Sequence, residues 1–340
     1  MNKRKNITNG KVNSMQRLKE LTSKNIVMVF LILLIFGFGL GSPYFLTSKN
    51  LINLTSQMSI NALLATGLTY VIILGGIDIS VGSVAALAGI VSAKVGLMFV
   101  DMNTGLSLLI LVLSGLIIGG ICGLFNGIMI TKYKVVPMIA TLAMLSIARG
   151  LSYVVTNGKP VYGLSNTFAW LGAGRIITTE GNPNGIIPVL TIFTIIVVVI
   201  MHILLSKTVF GRHVYAVGSN ANVAHLSGIN VKKVKLISYV LCSAMAGLGG
   251  ICIASKLQNG QPAAAETYEM FAIAATVLGG TSLSGGSGSV ARAMFGVAII
   301  AVINNGMNLM QISSYWQKVV IGSIILIAVI LDMAQKKEAR

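Results

Sequence analysis

Few residues in this chain could do chemistry among so many apolar neighbours, and Asp78 is the first to ask about. It lies in Gly75-Gly76-Ile77-Asp78-Ile79-Ser80-Val81-Gly82-Ser83, between two long apolar runs. A carboxylate at membrane depth can hold a proton or a sodium ion. It can also line a pathway or take part in a conformational change. The third role is structural: Gly75-Gly76 ends one helix, and Asp78 accepts from the amides of Ser80 or Val81 as the N-cap of the next. Capping is the expected role, because the remaining acidic residues make a thin inventory for ion coupling. Of the eight, Glu20 and Glu338 lie in the tails, Asp101 and Glu180 fall between apolar runs, and Asp332 ends the last run. Glu266 and Glu269 open the eighth run one helical turn apart.

Side-chain amides are the other chemically useful groups inside the apolar runs: Gln57, Asn61, Asn126, Asn304, Asn305 and Asn308. Each can donate and accept hydrogen bonds. Such groups suit a polyhydroxylated solute that needs mixed partners and no strong fixed charge. They serve equally well to tie neighbouring helices together, and both readings stand. An ATP site is not expected, because the phosphate-cradling G-x-x-x-x-G-K-[ST] loop is missing. The nearest stretch, Asn157-Gly158-Lys159-Pro160, has Tyr153 where the first glycine should be and a proline after the lysine. His202, His213 and His225 have no partnered acid in sequence, so the chain is read as a non-enzyme with no catalytic, metal or cofactor residues of its own. Cys122, Cys242 and Cys252 lie in apolar runs without metal or redox spacing and read as small buried residues.

Glycines carry the remaining signal. Gly115, Gly119, Gly123 and Gly127 recur every four residues, which puts a smooth face on one helix for close approach by another. The tract from Gly279 to Ser289 contains Gly279, Gly280, Gly285 and Gly286 between two apolar runs, which fits a tight, re-entrant or hinge-like connection better than a free linker. Gly75-Gly76-Ile77-Asp78-Ile79-Ser80 is echoed by Gly279-Gly280-Thr281-Ser282-Leu283-Ser284, and Phe125-Asn126-Gly127 by Asn304-Asn305-Gly306. Glycine-broken spans in repeated units tend to mark a pathway.

The elements that hold these residues follow from composition. Of 340 residues, 55% are hydrophobic and 10% charged, and the mean hydropathy is +0.86. A soluble domain carries roughly a quarter charged residues. Apolar runs near the roughly 20 residues that span a bilayer predict helices over 26–40, 52–74, 81–100, 104–130, 135–156, 186–205, 236–255, 266–283, 290–308 and 316–333. This is the pattern of an all-α polytopic membrane protein of about ten spans, several of them broken by glycine. A cleaved signal peptide at the N-terminus is the weaker reading, since the basic tail 1–25 is long, no A-x-A site follows the first run, and more spans come after it. Residues 16–22 could lie on the membrane surface as a short helix.

Threading the spans from an inside N-terminus makes a membrane-spanning core, 26–333, between cytoplasmic tails 1–25 and 334–340. It leaves an external loop, 157–185, containing Trp170, Gly172 and Gly174, and a basic internal loop, 206–235. Eighteen of the 25 Lys and Arg then fall inside, as the positive-inside rule requires. That bias accounts for most of the formal charge of +17, so nucleic-acid binding is not implied.

Taken together, GGIDISVGS at 75–83, NGIMITKYKVVPMIATLAMLSIARG at 126–150, FGRHVYAVGSNANVAHLSGINVKKVK at 210–235 and LGGTSLSGGSGSV at 278–290 resemble the membrane permease of ribose-type ATP-binding cassette importers, in the group that also includes branched-chain amino-acid permeases. The likeness runs from about residue 25 to the C-terminus. It implies a homodimer of ten-helix subunits in a bacterial plasma membrane, both termini cytoplasmic. It also implies a separate cytoplasmic subunit that binds ATP and Mg, and an extracytoplasmic sugar-binding protein that delivers a pentose or hexose such as ribose. Residues Tyr215 to Gly228, with Gly218, Ala224 and Leu226, would hold the short helix that docks into the ATPase. An ion-coupled transporter, and an importer permease for branched-chain amino acids or another small polar solute, are the alternatives.

Overall fold

The computed structural model describes residues 27–99, 104–177 and 185–338. The basic tail with its candidate helix at 16–22, Asp101, Glu180 and Arg340 lie outside the described residues, as do the side chains of Asp332 and Glu338. The described chain is almost wholly helical. In order run α1 Val27–Gly41, α2 Ser48–Ile73, α3 Val81–Met98, α4 Thr104–Thr131, α5 Pro137–Thr156, α6 Asn166–Ala173, α7 Val189–Lys207, α8 Val209–Ser219, α9 Ala221–Leu226, α10 Val231–Leu257, α11 Tyr268–Leu278, α12 Val290–Leu309 and α13 Ser314–Glu338. A two-residue ribbon, β1 Arg175–Ile176 against β2 Ile187–Pro188, closes the connection between α6 and α7. Seven of the helices are long and apolar enough to cross a membrane: α2, α3, α4, α5, α7, α10 and α12.

α10 stands at the centre, packed along α4, α3 and α2. The glycine-every-four face of α4 explains how it comes so close. Cβ atoms added at Gly119 or Gly123 would overlap the backbone of α10 at Ser243–Ala244 and Tyr239–Val240, and Gly127 meets Leu236. α2 is buried nearly throughout, whereas α5 and α7 turn Leu142, Val154, Ile195 and Ile200 outward. Exposed apolar rows of this kind suit lipid.

Two helix ends are built alike. After α2, Gly75 takes φ +75° and the Gly76 amide donates back to Val71 O (3.0 Å); after α11, Gly280 takes φ +82° and the Thr281 amide donates to Thr276 O (3.2 Å). Left-handed residues that turn the chain back on the last carbonyls end helices in this way, and glycine does so without strain. The backbone therefore matches Gly75 with Gly280, one residue on from the pairing that the letters suggest. The second echo does not share a place in the fold: Asn126 is on α4 and Asn305 is on α12, the helix that follows the second glycine break.

The eighth predicted span is a correction. Instead of 266–283, the helix is α11, 11 residues from Tyr268 to Leu278, about 16 Å long at 1.5 Å per residue, against roughly 30 Å of hydrocarbon. Ala265 and Thr267 are left-handed (φ 55° and 70°), which stops the helix upstream, and Gly279-Gly280 end it downstream. Glu266 thus sits in the preceding turn and only Glu269 lies on the helix. The loops also hold more structure than expected. Segment 157–185, expected to be external, contains α6, with Phe168 buried and the Gly172 amide bonded to Ser255 Oγ (2.7 Å). Segment 206–235 contains α8 as well as α9, which lies in the stretch Tyr215 to Gly228 where the resemblance implies a short helix.

Candidate functional site

Asp78 is fully buried in the connection between α2 and α3. A lone ionised carboxylate there would be costly, so its bonds matter. Oδ1 accepts from the Ser80 amide (2.9 Å) and the Ser80 hydroxyl (2.6 Å), and Oδ2 accepts from Ser243 Oγ at 3.4 Å. The N-cap of α3 is Ser80, two residues further on, so Asp78 closes the turn that leads into the helix and does not cap it directly. Asn126 Nδ2 donates to Ser80 Oγ (3.2 Å), which ties α4 to the same turn. Asp78 thereby joins the start of α3 to α4 and α10 at one point.

The amides divide into two groups. Gln57, Asn61, Asn304 and Asn308 line one cavity of about 350 Å³, together with Ile60, Ile253, Lys256, Leu257, Tyr268, Phe271 and Gln317. Its wall comes from α2, the C-terminal end of α10, the start of α11, the end of α12 and the start of α13. Asn61 Oδ1 and Asn304 Oδ1 are buried and accept no hydrogen bond, while Gln317 Nε2 donates to Asn308 Oδ1 (2.7 Å). Asn126 and Asn305 stand apart from it. Asn126 serves the Asp78 turn, and Asn305 forms a reciprocal amide pair with Asn50 on α2, with N···O distances of 2.8 and 2.9 Å. Sequence reasoning missed Asn50, Lys256, Tyr268 and Gln317. Asn50 and Asn305 are 255 residues apart, and no local pattern could reveal their pairing.

The two glycine breaks and the segment 206–235 converge. The Gly286 amide donates to Ile73 O (2.8 Å), and a Cβ on Gly285 would press on Gly218 O (2.7 Å) and Gly75 N (3.0 Å). A Cβ on Gly218 would overlap Ile73 O, and one on Gly286 would meet Ser219 Oγ at 2.7 Å. The end of α8 thus sits in a three-way backbone junction with the ends of α2 and the 279–289 tract. Tyr215 Oη donates to Gly288 O (2.8 Å) and Tyr70 stacks on Phe210, so α8 is held to the bundle along its length. Gly82 lies elsewhere, at the start of α3, against Ala265 O and the Glu269 carboxylate.

The residues implied for ATPase docking are split by this arrangement. Tyr215 and Gly218 are engaged within the subunit on α8, and Ala224 is buried on α9. Leu226 is 85% exposed and Val223 57% exposed on the same short helix. Asn220 caps α9 through Val223 N, and Gly228, at φ +83°, ends it as the Ile229 amide reaches back to Ala224 O (3.0 Å). α9 is therefore a capped, six-residue projection with apolar residues at its surface.

Long apolar helices around a polar cavity, with glycine-broken spans beside it and an anchored segment 206–235, define a multi-pass α-helical membrane protein built like a transporter. Comparison with known proteins sharpens this. Residues 50–329 match the family described as the permease component of the branched-chain amino acid transport system, and the chain belongs to that family. It is 45% identical to the ribose import permease protein of Bacillus subtilis (strain 168) over 88% of each chain. It is 41% identical to the ribose import permease protein of Escherichia coli (strain K12), over 86% of this chain and 88% of that one. The D-allose transport system permease protein of the same strain is 37% identical, over 89% of this chain and 88% of that one. No solved structure matches the chain.

Proposed function

We propose that this chain is the permease subunit of an ATP-binding cassette importer for a sugar, ribose or another pentose or hexose. The observation that carries the reading is near-full-length similarity to proteins named as ribose and allose permeases. Two copies would sit in a plasma membrane with both termini cytoplasmic, each crossing ten times, with α1, α11 and α13 as the shorter or broken spans beside the seven long ones. An extracytoplasmic sugar-binding protein would load the assembly, and a cytoplasmic subunit would bind and hydrolyse ATP with Mg. The chain itself would bind no nucleotide.

Within this reading α9 is the piece offered to the ATPase, and Leu226 and Val223 are its contact residues. Tyr215 and Gly218 would carry movement of α9 inward through the junction at Ile73, Gly285 and Gly286. The family's printed description names branched-chain amino acids, so the substrate must be tested directly. The chain is reconstituted in liposomes with its ATP-binding and sugar-binding partners, and uptake of labelled ribose and leucine is followed. Uptake of ribose that needs ATP and both partners is expected. Uptake by the chain alone along a proton or sodium gradient would overturn the reading.

A further inference from the structure

The amide cavity has features that the permease reading does not itself require. Five of its lining residues are amides drawn from three helices, and two of their carbonyl oxygens, on Asn61 and Asn304, are buried without a donor. A buried acceptor left unpaired is destabilising and calls for an explanation, such as a missing ligand. The site holds one cation, Lys256, and no acidic lining residue. Tyr268 and Phe271 form an aromatic wall, their rings 5.6 Å apart, and Ile60, Ile253 and Leu257 supply apolar surface.

These features select among solutes. An α-amino acid brings an ammonium group that has no anion to meet here. A neutral polyol brings hydroxyls that donate to Asn61 Oδ1 and Asn304 Oδ1 and accept from Lys256 and the amide NH₂ groups, and its C–H faces can lie on the aromatic wall. A cavity of about 350 Å³ falls at the small end of ligand sites, which suits one monosaccharide. We infer that each subunit carries its own binding site for one neutral monosaccharide in the cavity between α2, α10, α11 and α12, with Asn61 and Asn304 as its principal acceptors. The inference rests on the permease reading and adds the solute class and the residues.

Thiol labelling tests it in the full assembly. Gln57→Cys places a reporter on the cavity wall, and Tyr162→Cys, 66% exposed, serves as a control away from it. The native cysteines are buried. Glycosidic detergents are replaced by lipid discs, because their headgroups offer the same hydroxyls as the probe. D-ribose should slow maleimide labelling of Gln57→Cys severalfold and leave Tyr162→Cys unchanged, while L-leucine at equal concentration should do neither. Adding Asn304→Leu should remove most of the protection, since one lost hydrogen bond to a neutral group weakens binding about tenfold. Asn308→Cys provides a second reporter should Gln57→Cys assemble poorly. Equal protection by leucine, or none by ribose in an assembly that transports ribose, would overturn the inference while leaving the permease reading standing.

Discussion

The α4 seam allows a sharp test, because two adjacent glycines on the helix, about 100° apart around its axis, meet different surroundings. A Cβ at Gly119 would overlap Ser243 O and lie 2.9 Å from Ala244 Cα, whereas a Cβ at Gly120 would meet nothing within 4 Å. Alanine is favoured over glycine in a helix by about 1 kcal/mol, and both substitutions gain that. Only Gly119→Ala must also force α10 away from α4, and overpacking of a well-packed contact costs about 1–3 kcal/mol. Gly120→Ala should therefore raise stability by up to about 1 kcal/mol, and Gly119→Ala should fall below it by about 1–3 kcal/mol. The assay is denaturant-induced unfolding of the purified chain in lipid discs, both variants side by side. Gly119→Leu extends the series, since a larger side chain cannot be absorbed by a small shift. If Gly119→Ala proves as stable as Gly120→Ala, the close α4–α10 approach is not what holds these helices.

Three further outcomes follow from the polar and glycine contacts. Asp78→Asn keeps an Oδ1 acceptor for Ser80, so ATP-driven uptake should persist without a new pH dependence. Asp78→Leu strands the Ser80 amide and should lower stability by about 1–3 kcal/mol, and failure of the stably inserted Asn variant to transport would contradict this assignment. Asn50→Leu leaves Asn305 buried and unpaired, Asn305→Leu leaves Asn50 Oδ1 without its donor while Nδ2 keeps Phe45 O, and each should destabilise by about 1–3 kcal/mol. The double variant should be less damaged than the sum, and strict additivity in the unfolding cycle would count against the pair. Gly218→Val should separate ATP hydrolysis from uptake in the reconstituted assembly, because it wedges apart Ile73 and Gly286; normal coupling ratios in that variant would dismiss the junction as a transmitter.

Much of this architecture can be read from local sequence, and the exceptions have physical causes. The long spans and the α4 seam are legible because apolar length and four-residue spacing are local properties. The Gly75-Gly76 and Gly279-Gly280 breaks are legible because few residues other than glycine accept a positive φ. The short α11 is not, since Ala265 and Thr267 take left-handed conformations that their residue types do not announce. Inside 206–235 only the resemblance implied a short helix, because the basic composition reads as loop, and α8 owes its burial to Ile73, Gly286 and Gly288 far away in sequence. For the amides, residue type suggested binding or helix pairing. Only tertiary placement separates Asn61 and Asn304, whose carbonyl oxygens are unpaired, from Asn305, which is matched.

The junction of α8 with the two glycine breaks is made almost entirely of main-chain atoms. Side chains yield to a push by changing rotamer, and that slack dissipates small displacements. Peptide planes at Ile73, Gly218, Gly285 and Gly286 have no rotamers to change, so in the proposed importer a shift of α8 would be passed on to α2 and the tract ahead of α12 together. Gln57 and Asn61 ride on the first of these helices, and Asn304 and Asn308 on the helix after the second. Two walls of the cavity thus trace back to one junction, and in the proposed importer its width, more than the identity of its lining, is the quantity that movement of α8 and α9 would set.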